Sequence, residues 1–326
     1  MEYSSNLLIN WSPRHNEVEG DTSSKDLAAI RELCEVYRTD EFIWEGISCN
    51  ISMDWTQLEE IFIESEDIDG PFHMVIDGML YKQMTRLKEI SVPINISVNS
   101  KVDERKIQTY LHRYLLDLFI VCNLAAPGLI NFFNAKLEED DEYTPIKISS
   151  FSLECALENT FTRKVPFVEY VSIKTSFDWY RSLGIDTKVV ASTSVEKAIF
   201  SLLHMVRMDD YDISTVPWVF HALEAIYGTN AGRGFTDISE KVNFLLSVEE
   251  RQQKRLKRKL RELNDLRSSF VHGGYNVSHI MDDDSNDAIF ETINFGISLI
   301  ISSLQCLMRN GWKGINVEHK FVGLEI

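Results

Sequence analysis

The chain has 326 residues, of which 44% are hydrophobic and 25% charged, a globular composition that excludes wholesale disorder. The low content of glycine and proline, 15 and 7 residues, excludes collagenous and low-complexity proteins. The net charge of −17 argues against a protein that covers nucleic acid with its whole surface.

Neither a membrane nor a secreted location is indicated. The longest mostly apolar stretch, from Phe295 to Met308, is short for a bilayer and is interrupted by polar residues. No basic patch precedes a hydrophobic run at the N-terminus, so no signal peptide is visible. The five cysteines are scattered without metal-binding spacing, which favours free thiols in a reducing compartment. We therefore expect a cytoplasmic protein without a metal or another cofactor.

The first half of the chain is predicted to mix strands and helices. A helix is expected from Asp26 to Tyr37 and a longer one from near Val102 to just before Pro127, where apolar residues recur at helical spacing. Alternating or apolar patterns predict strands over four segments, 47–53, 72–76, 94–98 and 146–151. The acidic run 138–142 is expected to be a solvated loop.

The second half is predicted to be almost purely helical. Apolar stripes with helical spacing cover five segments: 193–206, 215–227, 237–247, 248–272 and 287–309. Short connections between such helices are typical of an up-and-down bundle. The expected organisation is therefore an acidic α+β domain over residues 1–165, of unknown role, and an all-α bundle of four to five helices over residues 178–326.

The segment that ends the fourth predicted helix of this half carries the most informative pattern. The stripe Leu256, Leu260 and Leu263 continues onto Arg267, which places an arginine where the period expects a packed residue. A buried guanidinium needs a carboxylate, or a groove into which it projects. His272 follows five residues later, about 140° around an ideal helix, and Gly273 then stops the helix.

The string from Leu266 to Gly274, LRSSFVHGG, resembles the Arg-x4-His signature of HEPN domains, and its ending resembles the Apea-like HEPN family in particular. The segment from Trp218 to Gly228, WVFHALEAIYG, resembles an earlier helix of that family. The resemblance covers roughly residues 178–310. It implies a bundle of four or five helices that dimerises and brings two Arg-x4-His motifs together. Many such domains are metal-independent endoribonucleases, often toxins or antiviral effectors, whereas others only bind partners.

The residue types suit metal-free cleavage of RNA. Histidine serves as general base or general acid, and arginine neutralises the charge that develops on the phosphorane. One histidine per chain does not easily serve both roles, so a composite site in a homodimer is chemically sensible. The expected catalytic residues are therefore Arg267 and His272. Ser268 is expected to support them by bonding a phosphate oxygen or the motif side chains, and Glu224 by orienting Arg267 or His272.

The run from Arg251 to Arg261 holds seven basic residues and no acidic one. Without acidic partners inside it, the run repels itself unless another charge neutralises it. Two sources are open: RNA phosphates, or the acidic N-terminal half, since residues 1–177 carry 30 Asp and Glu against 16 Lys and Arg. In the second case the N-terminal half would mask the RNA groove. The candidate RNA-binding residues are Lys254, Arg255, Lys257, Arg258, Lys259 and Arg261.

Two functions from different classes remain open. The first is a metal-independent endoribonuclease that acts on RNA through the Arg-x4-His site at a dimer interface, as a toxin or antiviral-defence effector. The second is a catalytically silent interaction module that binds RNA, a nucleotide or a protein. The intact Arg and His pair favours the enzyme, whereas the high acidity of the chain favours the module.

Overall fold

The computed structural model describes residues 1–11, 22–66, 73–76, 79–82, 88–139, 142–157, 164–208, 212–230, 232–277, 279 and 283–316. The chain divides into two compact units. The first comprises Met1–Phe161 and Glu169–Val189, and the second comprises Thr162–Val168 and Val190–Ile326.

The first unit is built on an antiparallel sheet. The strands of this unit are β1 Glu2–Trp11, β2 Thr39–Trp44, β3 Ile47–Met53, β4 His73–Ile76, β5 Met79–Lys82, β6 Lys88–Val98, β7 Lys136–Glu139 and β8 Glu142–Pro145. Six of them form the sheet, in the order β2-β3-β6-β1-β7-β8, and β4 and β5 form a separate hairpin. At the centre, β1 pairs with β6 along its whole length, and alternate residues such as Leu7, Ile90 and Ile94 are fully buried.

Five helices belong to the described part of the first unit. The longest, α3, begins after the N-cap Asp103, whose carboxylate accepts a hydrogen bond from the Arg105 backbone N–H, as expected for a helix start. The short α4 continues into a 3₁₀ turn. The bounds are α1 Thr22–Val36, α2 Thr56–Glu66, α3 Glu104–Ala125, α4 Phe151–Glu154 and α5 Ile173–Ser182.

Buried polar contacts join α5 to α3. The Tyr180 hydroxyl donates to Asp117, at 2.7 Å, and Arg113 forms an ion pair with the same carboxylate. Burial raises the pKa of Asp117 to about 6. On α5, Arg181 forms ion pairs with Asp40 and Asp186. Because these groups satisfy one another, the cluster stabilises the first unit rather than offering free polar groups to a ligand.

All the regular secondary structure that is described in the second unit is helical. Its helices are α6 Ser194–Met205, α7 Thr215–Tyr227, α8 Gly234–Leu245, α9 Glu250–Val271 and α10 Asp283–Arg309. Each of the other four packs against α7. Gly296 of α10 makes this packing close, since a Cβ there would lie 2.4 Å from Val219 of α7 and 3.1 Å from Leu263 of α9.

The coarse expectation of a mixed first part followed by a helical second part is confirmed. Strands over 47–53, 94–98 and most of 72–76 are present, as are all seven predicted helices to within a few residues. Two predictions were wrong. Segment 146–151 makes only an isolated bridge at Ile148 before α4 begins at Phe151. The described part of the acidic run, Glu138, Glu139 and Glu142, belongs to strands β7 and β8 rather than to a loop.

The boundary between the units differs from the expected one. Residues 178–189 were assigned to the helical bundle, but they belong to the first unit because α5 is bonded to α3. Segment 162–168 belongs to the second unit, where the Val165 backbone N–H donates to the Gln252 side chain.

Helix α10 is longer than the apolar stretch seen in the sequence. Among the described residues, its part from Asp287 to Arg309 is the one helix long and apolar enough to cross a membrane. Of that apolar window, 78% is buried inside the protein, which is typical of a core helix. All five cysteines are free thiols.

Candidate functional site

The candidate site lies at the C-terminal end of α9. Leu256, Leu260 and Leu263 form a buried seam along this helix, as their spacing predicts. The helix stops at Gly273, which has a φ of +74°. The Gly273 N–H donates to the Phe270 carbonyl and the Gly274 N–H to the Ser269 carbonyl, at 3.3 and 2.8 Å. This is a Schellman motif, in which glycine adopts the left-handed conformation at no steric cost.

Arg267 has an aromatic partner rather than a carboxylate. Its Cζ lies 5.3 Å from the ring centroid of Phe220, which is buried in α7. A guanidinium over an aromatic face is stabilised by about 0.5 to 2 kcal/mol, depending on how far it is desolvated. Within the described ranges, Arg267 forms no ion pair and its side chain makes no hydrogen bond. Its guanidinium therefore keeps its hydrogen-bond donors for a ligand or for water.

His272 occupies the C-cap position and is exposed. Its backbone N–H completes the last turn by donating to the Ser268 carbonyl, at 3.1 Å. No contact joins His272 to Arg267 in the described part of the chain. Ideal helix geometry places the two side chains about 140° apart. In a single chain, Arg267 thus contacts α7 while His272 lies at the surface.

In a single chain, Glu224 does not orient either residue. No described cation lies within ion-pair distance of its carboxylate. Instead, its Oε1 atom lies 2.5 Å from the position that a Cβ would take at Gly234, the first residue of α8. A carboxylate at the start of a helix is stabilised by the free N–H groups and the helix dipole. Within one chain Glu224 therefore packs against the start of α8, and its expected role in supporting Arg267 or His272 stays a prediction.

Ser268 is half-buried, and its hydroxyl has no hydrogen-bond partner within the described residues. The neighbouring Ser269 instead donates to the Leu266 carbonyl, at 2.9 Å. The hydroxyl of Ser268 is therefore available to a ligand, whereas that of Ser269 is used within the helix.

Of the six candidate RNA-binding residues, Arg255 is already engaged. Its Nη1 donates to the Val165 carbonyl, at 2.6 Å, while the Gln252 side chain accepts from the Val165 N–H. Burial and the nearby Arg258 lower the pKa of Arg255. Arg255 therefore attaches segment 162–168 to α9, which makes it a structural residue rather than a surface cation.

Flanking acidic residues neutralise more of the basic run than its sequence indicates. Glu262, just beyond the run, pairs with Arg258 at 3.6 Å and with Lys259 at 2.9 Å. Arg261 lies over the ring of Phe235, 5.8 Å from its centroid. Glu262 is therefore a third source of neutralising charge, for Arg258 and Lys259, besides the two that the sequence left open.

Lys254 and Lys257 remain exposed, and neither has an ion-pair or hydrogen-bond partner for its ammonium group within the described residues. They lie near the start of α9, whereas His272 lies at its end. On an ideal helix, Lys254, Arg261, Ser268 and His272 fall within about 40° of one another. These four side chains thus follow one side of α9, a strip that we call the α9 stripe.

Among the described residues, no group of three or more His, Cys, Asp or Glu is placed to hold a metal ion. Comparison of the chain with protein-family models, with curated proteins and with solved structures found no match. The function must therefore be argued from the site itself.

Proposed function

We propose that the protein is a metal-independent endoribonuclease whose site is formed by Arg267 and His272 of a HEPN-like helical bundle. One observation carries the proposal: a guanidinium and an imidazole lie near the end of one helix, and neither is neutralised by a carboxylate of the described residues. The resemblance of LRSSFVHGG to the HEPN signature supports the same assignment.

The reaction follows from the residue types. Histidine accepts the proton of the ribose 2′-OH, whose oxygen attacks the adjacent phosphorus. The bond from phosphorus to the 5′-oxygen breaks, and a protonated histidine donates a proton to that oxygen. Arginine binds two phosphate oxygens and stabilises the charge of the phosphorane. The products carry a 2′,3′-cyclic phosphate and a 5′-hydroxyl.

A homodimer would supply the second histidine that a single chain lacks for the acid and base roles. Each chain has one histidine in the motif, and its Arg267 and His272 are not in contact. A two-fold interface that includes the end of α9 would bring two histidines and two arginines to one phosphate. The roles in defence or toxicity remain those that the resemblance implies. Regulation by the acidic first unit, or by another partner, belongs to the same proposal.

The test is incubation of the protein with mixed RNAs in EDTA. His272→Ala should lower the cleavage rate by about 10² to 10⁴, since it removes the proton-transfer group. Arg267→Ala should have an effect of similar size. His221→Ala and Arg207→Ala, which remove an exposed histidine and an exposed arginine of the same unit, are the matched controls. Cleavage that survives His272→Ala, or that disappears in EDTA, would remove this site from the mechanism.

The alternative is a silent interaction module, and the contact of Arg267 with Phe220 favours it, because an arginine over a buried ring has a structural role without any chemistry. In that case Arg267→Ala lowers the free energy of unfolding by about 0.5 to 2 kcal/mol. The wild-type protein then leaves every RNA intact. Sedimentation over a concentration series tests the dimer that both proposals include, and a monomer at tens of micromolar would contradict it.

A further inference from the structure

A groove between α8 and α9 is lined by an exposed aromatic ring and by two lysines that have no ion-pair partner among the described residues. Phe244 of α8 borders it, with 79% of its surface exposed, although phenylalanine is usually buried. Lys254 and Lys257 of α9 border the same groove. Its volume, ≈ 530 Å³, is large enough for a nucleotide. The position of Phe244 in this groove was not expected from the sequence.

The groove also contains polar atoms without partners. The Ser239 Oγ and the Asn243 Oδ1 are buried, and neither forms a hydrogen bond within the described residues. The Asn243 Nδ2 donates to the Ser239 carbonyl, at 3.1 Å, so only the oxygen end of this amide lacks a partner. Buried polar atoms of folded proteins are nearly always bonded. Both atoms are covered, however, so the exposed ring and the lysines of the groove, rather than these atoms, indicate its occupant.

The charge of the groove selects the class of occupant. Lys254 and Lys257 have no ion-pair partner among the described residues, whereas Arg258 and Lys259 share Glu262. Glu240 borders the groove as well, so the anionic groups of an occupant must lie on the α9 side. An occupant with phosphates on one edge and a flat ring on the other fits this distribution. Single-stranded nucleic acids are held in this way, by cations along the backbone and aromatic rings under the bases.

We propose that this groove binds single-stranded RNA, with phosphates on Lys254 and Lys257 and one base stacked on Phe244. The inference deepens the proposed function, on which its choice of RNA rests, by naming where the strand is held. An acidic protein segment would also be attracted to the lysines, but it has no need of the ring. The effect of Phe244 on the binding affinity therefore distinguishes RNA from an acidic protein segment.

The geometry of α9 gives the length of RNA required. Lys254 and His272 are 18 residues apart, which is five helical turns and about 27 Å along the axis. At about 3.4 Å per nucleotide, the spacing along one strand of a stacked DNA duplex, a strand that reaches from the groove to His272 has at most about eight nucleotides, because an unstacked strand extends further per nucleotide. Asp265 also lies on the α9 stripe, so the strand is expected to bypass that carboxylate. Cleavage of RNAs too short to reach from the groove to His272 should be insensitive to changes at Phe244.

The experiment measures binding without cleavage. The probe is a fluorescent, fully 2′-O-methylated RNA of about 12 nucleotides, which has no free 2′-OH, and its dissociation constant is followed by anisotropy over a range of salt concentrations. Phe244→Ala should weaken binding by about 5- to 150-fold and leave the salt slope unchanged. Lys254→Ala with Lys257→Ala should weaken binding and reduce the salt slope by about 1.4. Since these side chains are exposed, the variants should fold, which circular dichroism checks.

Controls and competitors make each outcome decisive. Val277→Ala and Lys197→Ala, which change exposed residues elsewhere in the second unit, should bind RNA as the wild type does. Polyglutamate of equal charge should compete poorly. Two results would overturn the inference and favour an acidic protein partner. The first is an RNA dissociation constant that Phe244→Ala leaves unchanged, and the second is full displacement of the RNA by polyglutamate. Tight binding that depends on Phe244, in a protein that cleaves no natural RNA, would support the groove and contradict only the proposed function.

Discussion

Gly296→Ala tests the packing that places Arg267 over Phe220. Gly296 is buried in α10, and the added methyl carbon would lie 2.4 Å from Val219 Cγ1 and 3.1 Å from Leu263 Cδ2. Ordinary contacts between carbon atoms are about 3.5 to 4.0 Å long, so α7 must withdraw by about 1 Å. Because Leu263 lies one turn before Arg267 and Val219 precedes Phe220, the same movement displaces the guanidinium from the ring.

The expected cost is the balance of two effects. Overpacking of a core typically costs about 1 to 3 kcal/mol. Replacing glycine by alanine within a helix contributes about 1 kcal/mol in the opposite direction. Gly296→Ala should therefore lower the free energy of unfolding by about 1 kcal/mol. Val219→Ala should cost about 2 kcal/mol alone, since it removes two buried methyl groups. In the double variant the new methyl fills that space, so its cost should be about 1 to 2 kcal/mol below the sum.

Urea unfolding of the full chain, followed by circular dichroism, measures these values. The control combines Gly296→Ala with Val195→Ala, which removes methyl groups of a buried valine in α6. That pair should be additive within about 0.5 kcal/mol, as expected for sites that share no partner. Additivity of Gly296→Ala with Val219→Ala to the same precision would refute the close packing of α7 and α10.

Two further predictions concern a buried carboxyl group and a helix end. Burial raises the pKa of Asp117 to about 6, above its usual 3.8, so the folded state binds the proton of this carboxyl group more tightly than the unfolded state does. The contribution of Asp117 to the free energy of unfolding therefore falls as pH rises from about 4 to about 6. Melting temperatures across this range should show the decline in the wild type but not in Asp117→Asn, while Asp178→Asn, at an exposed ion pair, should behave as the wild type. Gly273→Ala should cost about 1 to 2 kcal/mol in urea unfolding, because Gly273 has a positive φ. Gly274→Ala, where a Cβ meets only ordinary contacts, should cost less than about 0.5 kcal/mol, and equal costs for the two would contradict the assigned helix end.

Periodicity predicted most of the fold because each element buries one face. In α9, Leu256, Leu260 and Leu263 recur at helical spacing and are buried, while Lys254, Lys257 and Arg258 are exposed. In α10, by contrast, every residue from Ile293 to Gln305 is buried, and the apolar residues still recur at helical spacing. The central strand β1 was missed although Tyr3, Leu7, Ile9 and Trp11 alternate in burial. Leu8 lies between two of them and interrupts the apolar–polar alternation, so the sequence pattern is weaker than the structural one. The domain boundary was misplaced for a different reason: hydrogen bonds such as that between Tyr180 and Asp117 join residues distant in sequence.

The sequence predicts where the residues of the candidate site lie along a single helix, but not which residues of other helices they contact. The position of Arg267 on a packed seam, and of His272 at a helix end, follow from spacing within α9 alone. Their partners do not, because the register of α7 against α9 depends on a glycine in α10, and only that register brings Phe220 under the guanidinium. That Lys254 and Lys257 have no ion-pair partner among the described residues was likewise not predictable from the sequence. Charge counting treats all cations of α9 alike, whereas packing engages Arg255, so the cations best placed to meet an anionic ligand are those that have no partner among the described residues.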